Sequence, residues 1–507
     1  MTRKPSKNAF NLSRERKQTM NMADLVPFYV EEVIPGDSFR VKSEVLMRLS
    51  PLVSPVMHRV NVTTHYFYCP NRILWDSWQD FITGGEDGRD ASVLPQKNMG
   101  AASYSTMSKK TLWDYMGLPV MDEANNADTS INELPFRAYQ MIYNEYYRDQ
   151  NLQTKVDIST GSGENSTANL FTLRKRNWEK DYFTSSLPFA QKGDPVTAPI
   201  GMEYIEPPGQ VAFTSPGGNP TSAGSVDTNL DGVLTHSVDG SMILKNIDPD
   251  STGINVEDLR TAVRLQEWLE KNARAGSRYI ESIMSHFGER VPDYTAQRPI
   301  FLGGGRQPVT ISEVLQTGQT TVDGGEPHTN FEPSPQGNMA GHGISVGKTN
   351  GFKAKFTEHG YIIGIMSVLP RTAYQQGRDR FWDKTNKFDY FWPEFAQLGE
   401  QEVLNKEVYQ NFGDPTQDDL TFGYQSRYAE YKHAMSKVAG DFRDNLAFWH
   451  LGRIFDNPPA LNSEFISANP REDIFAIEDE TEDHLYVQIY NSVKAIRPIP
   501  IHNVPTL

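Results

Sequence analysis

One pattern limits the fold of this chain more than any other. Between residues 38 and 49, Phe39, Val41, Val45, Met47 and Leu49 alternate with Arg40, Lys42, Glu44 and Arg48. A repeat of two sets the apolar side chains on one side of an extended strand and the charged ones on the other, so the strand is half buried. Leu485, Val487 and Ile489 alternate in the same way with Tyr486, Gln488 and Tyr490. Within Val56–Cys69, Val60, Val62, Tyr66 and Tyr68 share one face. Ile362, Ile363, Ile365 and Val368 are apolar almost without alternation, as in a strand buried on both faces. The first of these strands follows the Pro35-Gly36 turn, with another β segment before it, and 38 glycines and 32 prolines imply many turns and long connections.

Helical spacing occurs between these runs. Leu259, Ala262, Val263, Leu269 and Ala273 fall on one arc, with Arg260, Arg264, Glu267 and Lys271 opposite. Asn255 and Asp258 suit its N-terminus, and Gly276 breaks it. Tyr279, Ile280, Ile283, Met284 and Phe287 form a second stripe ending at Gly288. Tyr139, Ile142, Tyr143 and Tyr146 keep helical spacing, and Trp75, Trp78 and Phe81 read as a core stripe. Residues 84–135 are a polar connection around the island TLWDYMGLP. Residues 200–254 and 317–349 read as exposed loops.

The chain has 507 residues and a formal net charge of −15, from 49 Lys+Arg and 64 Asp+Glu. That excludes a protein whose whole surface binds nucleic acid and leaves room for a local basic patch. Residues 1–26 are set apart: Arg3, Lys4, Lys7, Arg14, Arg16 and Lys17 face one acid, Glu15, without apolar periodicity. Two readings stand, a solvated frayed terminus or an arm that neutralises DNA phosphates, with order beginning at Leu25. Cys69 is the sole cysteine, so no intrachain disulfide forms, as suits a reducing cytoplasm. No apolar run is long enough for a bilayer and no apolar leader begins the chain, so no membrane role is expected.

Catalytic motifs fail one by one. GHGISVGKT (341–349) lacks the glycine spacing of a phosphate-binding loop and reads as a turn into a strand. GGGRQP (303–308) reads as a tight loop, without a dinucleotide frame. Asp227-x-Asn229-x-Asp231-Gly232 opens like a calcium loop, yet its twelfth position is Val238, so Ca2+ stands beside plain turn chemistry. EDETED (478–483) reads as a solvated loop, with a divalent cation or a basic partner surface the minor alternative. The histidines show no metal-ligand spacing, Cys69 has no activating base in view, and no enzyme is expected.

Several stretches carry more than their physics. RxGxRYxExIxSHFG and PDxxxQRPxxLGG (274–304) are joined by VPFYVEEVIPGDSF, CPNRILWDSWQDFITGG, PFRAYQMIYNEYYRDQNLQ and GYIIGIMSVLPRTAYQQGRDRFWDK. Together they resemble the major capsid proteins of the Microviridae, in the gokushovirus-like branch. The resemblance spans most of residues 25–500. It implies an eight-stranded antiparallel jelly roll with long loop and helical insertions, and hence a 1–26 arm before a 27–507 capsid domain. It implies a homo-oligomer: pentamers built into a T=1 icosahedral shell around circular single-stranded DNA. A small basic internal DNA-binding protein would accompany the genome. Residues 200–254 lie near the family's surface protrusion and would meet a host surface receptor. The protein would be a virion component assembled in the host bacterial cytoplasm. The alternative class is a β-rich carbohydrate-binding or carbohydrate-active protein, since jelly rolls host both.

Overall fold

A computed structural model describes residues 7–86, 89–100, 103–121, 129–163, 169–194, 226–228, 234–236, 256–275, 279–288, 292, 297–315, 339–348, 350–477 and 482–501. The described residues are mainly β, 33 % strand against 22 % helix. Ten strands make one antiparallel sheet: β1 (Asn8–Asn11), β2 (Arg14–Met20), β3 (Val26–Val33), β4 (Ser38–Leu49), β5 (Val60–Pro70), β6 (Ile300–Leu315), β7 (Met339–Lys348), β8 (Phe352–Lys355), β9 (Gly360–Pro370) and β10 (Leu485–Arg497). Eight follow one path, β1-β10-β4-β7-β6-β5-β9-β3, while β2 pairs with β10 and β8 with β4.

The half-buried pattern explains why this sheet curls: its apolar face can leave water only by meeting itself. The Ser43 hydroxyl on β4 lies 2.5 Å from the Tyr66 hydroxyl on β5, two strands that are not neighbours in the sheet. Phe28 and Phe352 lean on Tyr66, with ring centroids 5.4 and 5.2 Å away. Phe39, Val45, Met47, Val62, Ile362, Val487 and Ile489 fill the space between. Each such side chain contributes about 1.5–3 kcal/mol by burial. The result is a curled antiparallel half-barrel of jelly-roll type with helical insertions.

β9 is buried on both faces, as its unbroken apolar run predicts. Ile362, Met366 and Val368 face the curled core. Tyr361, Ile363 and Ile365 face a second core with Trp75, Phe136 and Tyr139. There, helix α1 (Leu134–Ile142) covers the sheet, then widens into a π turn at Tyr143–Tyr147 that sets Tyr146 4.7 Å from Phe67. Glu133 and Arg137 form a buried ion pair of 2.9 Å beneath it, and Arg137 also donates to the carbonyls of Leu74 and Gly161. Of the aromatic stripe only Trp75 is fully buried, and Phe81 is exposed.

Some expectations are corrected. GGGRQP is the middle of β6, where a Cβ on Gly304 would meet the Thr64 carbonyl oxygen at 2.4 Å. Its glycines serve close strand approach and make no turn. GHGISVGKT lies almost wholly in β7, so the second polar loop ends earlier than the composition suggests. Regular strand structure is already present at Asn8, well before Leu25. Asp483, in the acidic run, is buried and accepts from the Thr19 hydroxyl at 2.5 Å.

The chain divides into two compact units, residues 1–190 with 277–507, and residues 191–276. The second holds the pair Val226–Thr228 and Leu234–His236 and the helix α2 (Val256–Ala275). On α2 the apolar arc is covered only in part: Leu259 and Val263 are exposed, Ala262 and Leu269 half-buried and Ala273 buried. The helix α3 (Tyr279–Phe287) belongs to the first unit. Apart from the two short strands, the 200–254 segment lies outside the described residues. Among the described residues no helix is long and apolar enough to cross a membrane.

Candidate nucleic-acid interface

The sequence places six cations in a separate N-terminal arm. Arg3 and Lys4 lie outside the described residues. The other four belong to the sheet or its margin. Lys7 donates to the Gly36 carbonyl. Residues 8–11 and 14–20 are strands on β10, so the charge-rich run is part of the fold. The reason is again period two: Arg14, Arg16 and Gln18 pair beside Asn491, Ile489 and Val487, whereas Glu15, Lys17 and Thr19 pair beside Tyr490, Gln488 and Tyr486. Alternation in β2 is real but carried by polar residues, so apolar periodicity does not reveal it.

That alternation separates the cations. Arg14 pairs with Glu31 at 2.6 Å, donates to the Val30 carbonyl and lies 5.0 Å over the Tyr29 ring. Arg16 donates to the Tyr115 carbonyl at 2.6 Å. Burial holds its guanidinium below the ordinary arginine range, with Asp114 pulling the other way. Both are fastened to the protein. Lys17 faces outward and is exposed.

Lys17 joins a larger surface. Register aligns the outward rows of five strands, β2, β10, β4, β7 and β8. Arg40, Lys42 and Arg48 on β4 lie beside Lys494, Ser492 and Tyr486 on β10. Lys348 on β7 stands beside Glu44, and Lys353 on β8 beside Arg40, with Lys355 next in the row. Eight exposed cations thus share one face with two acids, Glu15 and Glu44, among the described residues. Lys348 answers Glu44 at 3.2 Å. Tyr486 and Tyr490 stand on the same face, each about two-fifths exposed. At its rim a recess of about 760 Å³ is lined by Lys17, Arg48, Lys109, Lys110, Asp114 and Tyr486. Cations that follow a backbone and rings that stack on bases are what single-stranded nucleic acid requires. The signal was present in the sequence as the polar half of the β4 alternation.

Behind the recess lies a different environment. Burial pushes the Asp24 carboxyl up to about 7; Lys175 opposes this, while Asp483 and Glu472 add to it. Lys110 reaches Asp483 at 3.4 Å. Among the described residues no cluster of His, Cys, Asp or Glu is arranged to hold a metal. Of the expected calcium ligands, Asp227 falls in the short strand Val226–Thr228, and Asn229 and Asp231 lie outside the described residues.

A curled antiparallel jelly roll with long insertions and a broad charged face suits a shell-building structural protein. The chain belongs to the capsid protein (F protein) family, whose model matches residues 1–507. It is similar to the capsid protein VP1 of Chlamydia phage 1, 35 % identical over 99 % of this chain and 96 % of that protein. Capsid protein VP1 of Bdellovibrio phage phiMH2K is 34 % identical, covering 99 % and 95 %. That of Spiroplasma virus 4 is 29 % identical, covering 97 % and 93 %. The protein is therefore a structural capsid component of a phage virion, not an enzyme, and the carbohydrate-active alternative is not favoured.

Proposed function

We propose that copies of this chain build a T=1 icosahedral shell around circular single-stranded DNA, with the outward face of β2, β4, β7, β8 and β10 turned toward the genome. One observation carries the reading: among the described residues eight cations stand against two acids on a single face, in a chain whose net charge is −15. Phosphates would lie along the rows of Lys and Arg, and bases would stack on Tyr486 and Tyr490. A small basic internal protein would supply the remaining counter-charge. Residues 200–254 would meet the host surface, and assembly would take place in the host cytoplasm.

The test is the DNA content of purified particles carrying Arg40→Gln, Lys42→Gln and Lys494→Gln together. Shells should close as before and hold less nuclease-protected DNA. Full retention by closed shells sinks this assignment of the face.

A further inference from the structure

A second surface has the opposite chemistry. Phe381, Trp382, Phe388, Tyr390, Phe391 and Trp392 are each between 45 % and 71 % exposed. This is no frayed loop. The Thr385 and Asn386 amides donate to one Asp389 oxygen at 2.9 and 2.7 Å. The Trp392 indole donates to the Lys387 carbonyl at 2.8 Å, and Arg378 pairs with Asp383. The backbone is tied down while its rings point outward.

The rings lie in neighbouring groups, and Phe381, Lys384 and Tyr431 line one recess. Phe381 and Trp382 are 4.7 Å apart by centroid. The Lys384 ammonium lies 5.4 Å from the Tyr390 ring and 4.2 Å from Tyr431, and Phe391 lies 6.3 Å from Tyr431. Lys384 is thus a clamp between ring groups, further fixed by Glu430 at 3.7 Å. An aromatic side chain can bury about 200 Å². Half of that from each ring, with Leu398 and Tyr431 added, gives on the order of 800 Å². A standard interface covers about 800 Å² on each partner. Soluble surfaces rarely leave so large an apolar area open to water.

We infer that this patch is a contact between two copies of the chain in the shell. The inference rests on the shell reading, which requires neighbours of the same sequence. The patch has the area one such neighbour covers. Asp379, Asp383, Asp389 and Glu394 are interleaved with Lys384 and Lys387, a mixture of signs that suits a protein surface and opposes insertion into lipid. Aromatic anchors at the centre of a contact carry most of its affinity.

The test uses the full chain with Trp382→Glu and Phe388→Glu together, followed by sedimentation and electron microscopy. Loss of shell-sized species is expected, with assembly weakened roughly 30-fold or more, while Trp382→Phe still assembles. Closed shells from the double variant overturn the proposal, whatever DNA they contain. Failure of the wild-type chain to form shells overturns the shell reading itself. A second measurement needs no variant. Hydroxyl-radical oxidation of Trp382, read by mass spectrometry, should be several-fold slower in wild-type shells than in dissociated subunits. Equal oxidation overturns the contact, even if host envelope fractions then protect the residue, because the patch would belong to an outside partner.

Discussion

Arg16 and Lys17 are adjacent in sequence and opposite in fate. Arg16 points toward the core and is spent on the Tyr115 carbonyl, whereas Lys17 points outward and joins a row of free charge. Arg137, buried on Glu133, is the extreme of the first kind, and Arg40 and Lys42 are typical of the second. The difference teaches that a basic residue in a strand is mortar or ligand according to the parity of its position. Charge counts along the sequence cannot separate the two.

The largest expected effect would come from breaking the mortar at its most buried point. Glu133→Ala leaves Arg137 uncompensated and should lower subunit stability by about 3–5 kcal/mol in urea unfolding. Arg16→Ala should cost about 1.5–3 kcal/mol of stability through a lost charged hydrogen bond, with DNA binding unchanged. Arg16→Ala that weakens DNA binding without destabilising the fold would erase the contrast.

The outward face should behave in the reverse manner. Tyr486→Ala should weaken binding of an oligothymidine to dissociated subunits by about 1–3 kcal/mol, as for one lost stacking contact. Its unfolding midpoint should move little, since the ring is partly exposed. Lys42→Gln should lower the slope of log affinity against log salt by about 0.7, the share of one phosphate on a single strand. A slope equal to wild type would remove Lys42 from the contact.

A proton supplies a further test of the fastened side. The folded Asp24 carboxyl sits near 7, above its ordinary 3.8. The folded state thus holds this proton more tightly than the unfolded one. Stability linked to it is fully present below pH 3.8 and is lost as pH rises toward 7. Asp24→Asn should therefore stabilise the subunit at pH 8 and change little at pH 3.5, as read from unfolding at both pH values. Equal effects at the two pH values would mean that Asp24 does not titrate in this way.

Much of the barrel is legible in the sequence, because burial of one face writes a period of two into β4, β5 and β10. Burial of both faces writes the unbroken run of β9. The strands β1 and β2 are not legible in that way: they lie on the sheet margin, and Arg14, Arg16 and Gln18 occupy the inward positions that apolar residues fill elsewhere. The glycines of β6 mislead for a related reason, since a residue chosen for strand contact looks the same as one chosen for a turn. The basic face escaped because Arg40, Lys42 and Arg48 first appear as the mere polar complement of a core pattern. Only register sets them beside Lys353 and Lys494, which are distant in sequence.

Strands β1 and β2 carry one more implication. Their hydrogen-bond partner is β10, so Arg14 waits for Asn491 and Asn8 for Arg497. A nascent polypeptide still on the ribosome has made the first ribbon hundreds of residues before its mate exists. The seam cannot be sewn until residue 497 emerges. An interrupted translation product would therefore lack both the finished barrel and the continuous row of lysines across it, and would be poorly fitted to enter a growing particle. Closing the barrel thus needs strands made at the start and at the finish of synthesis.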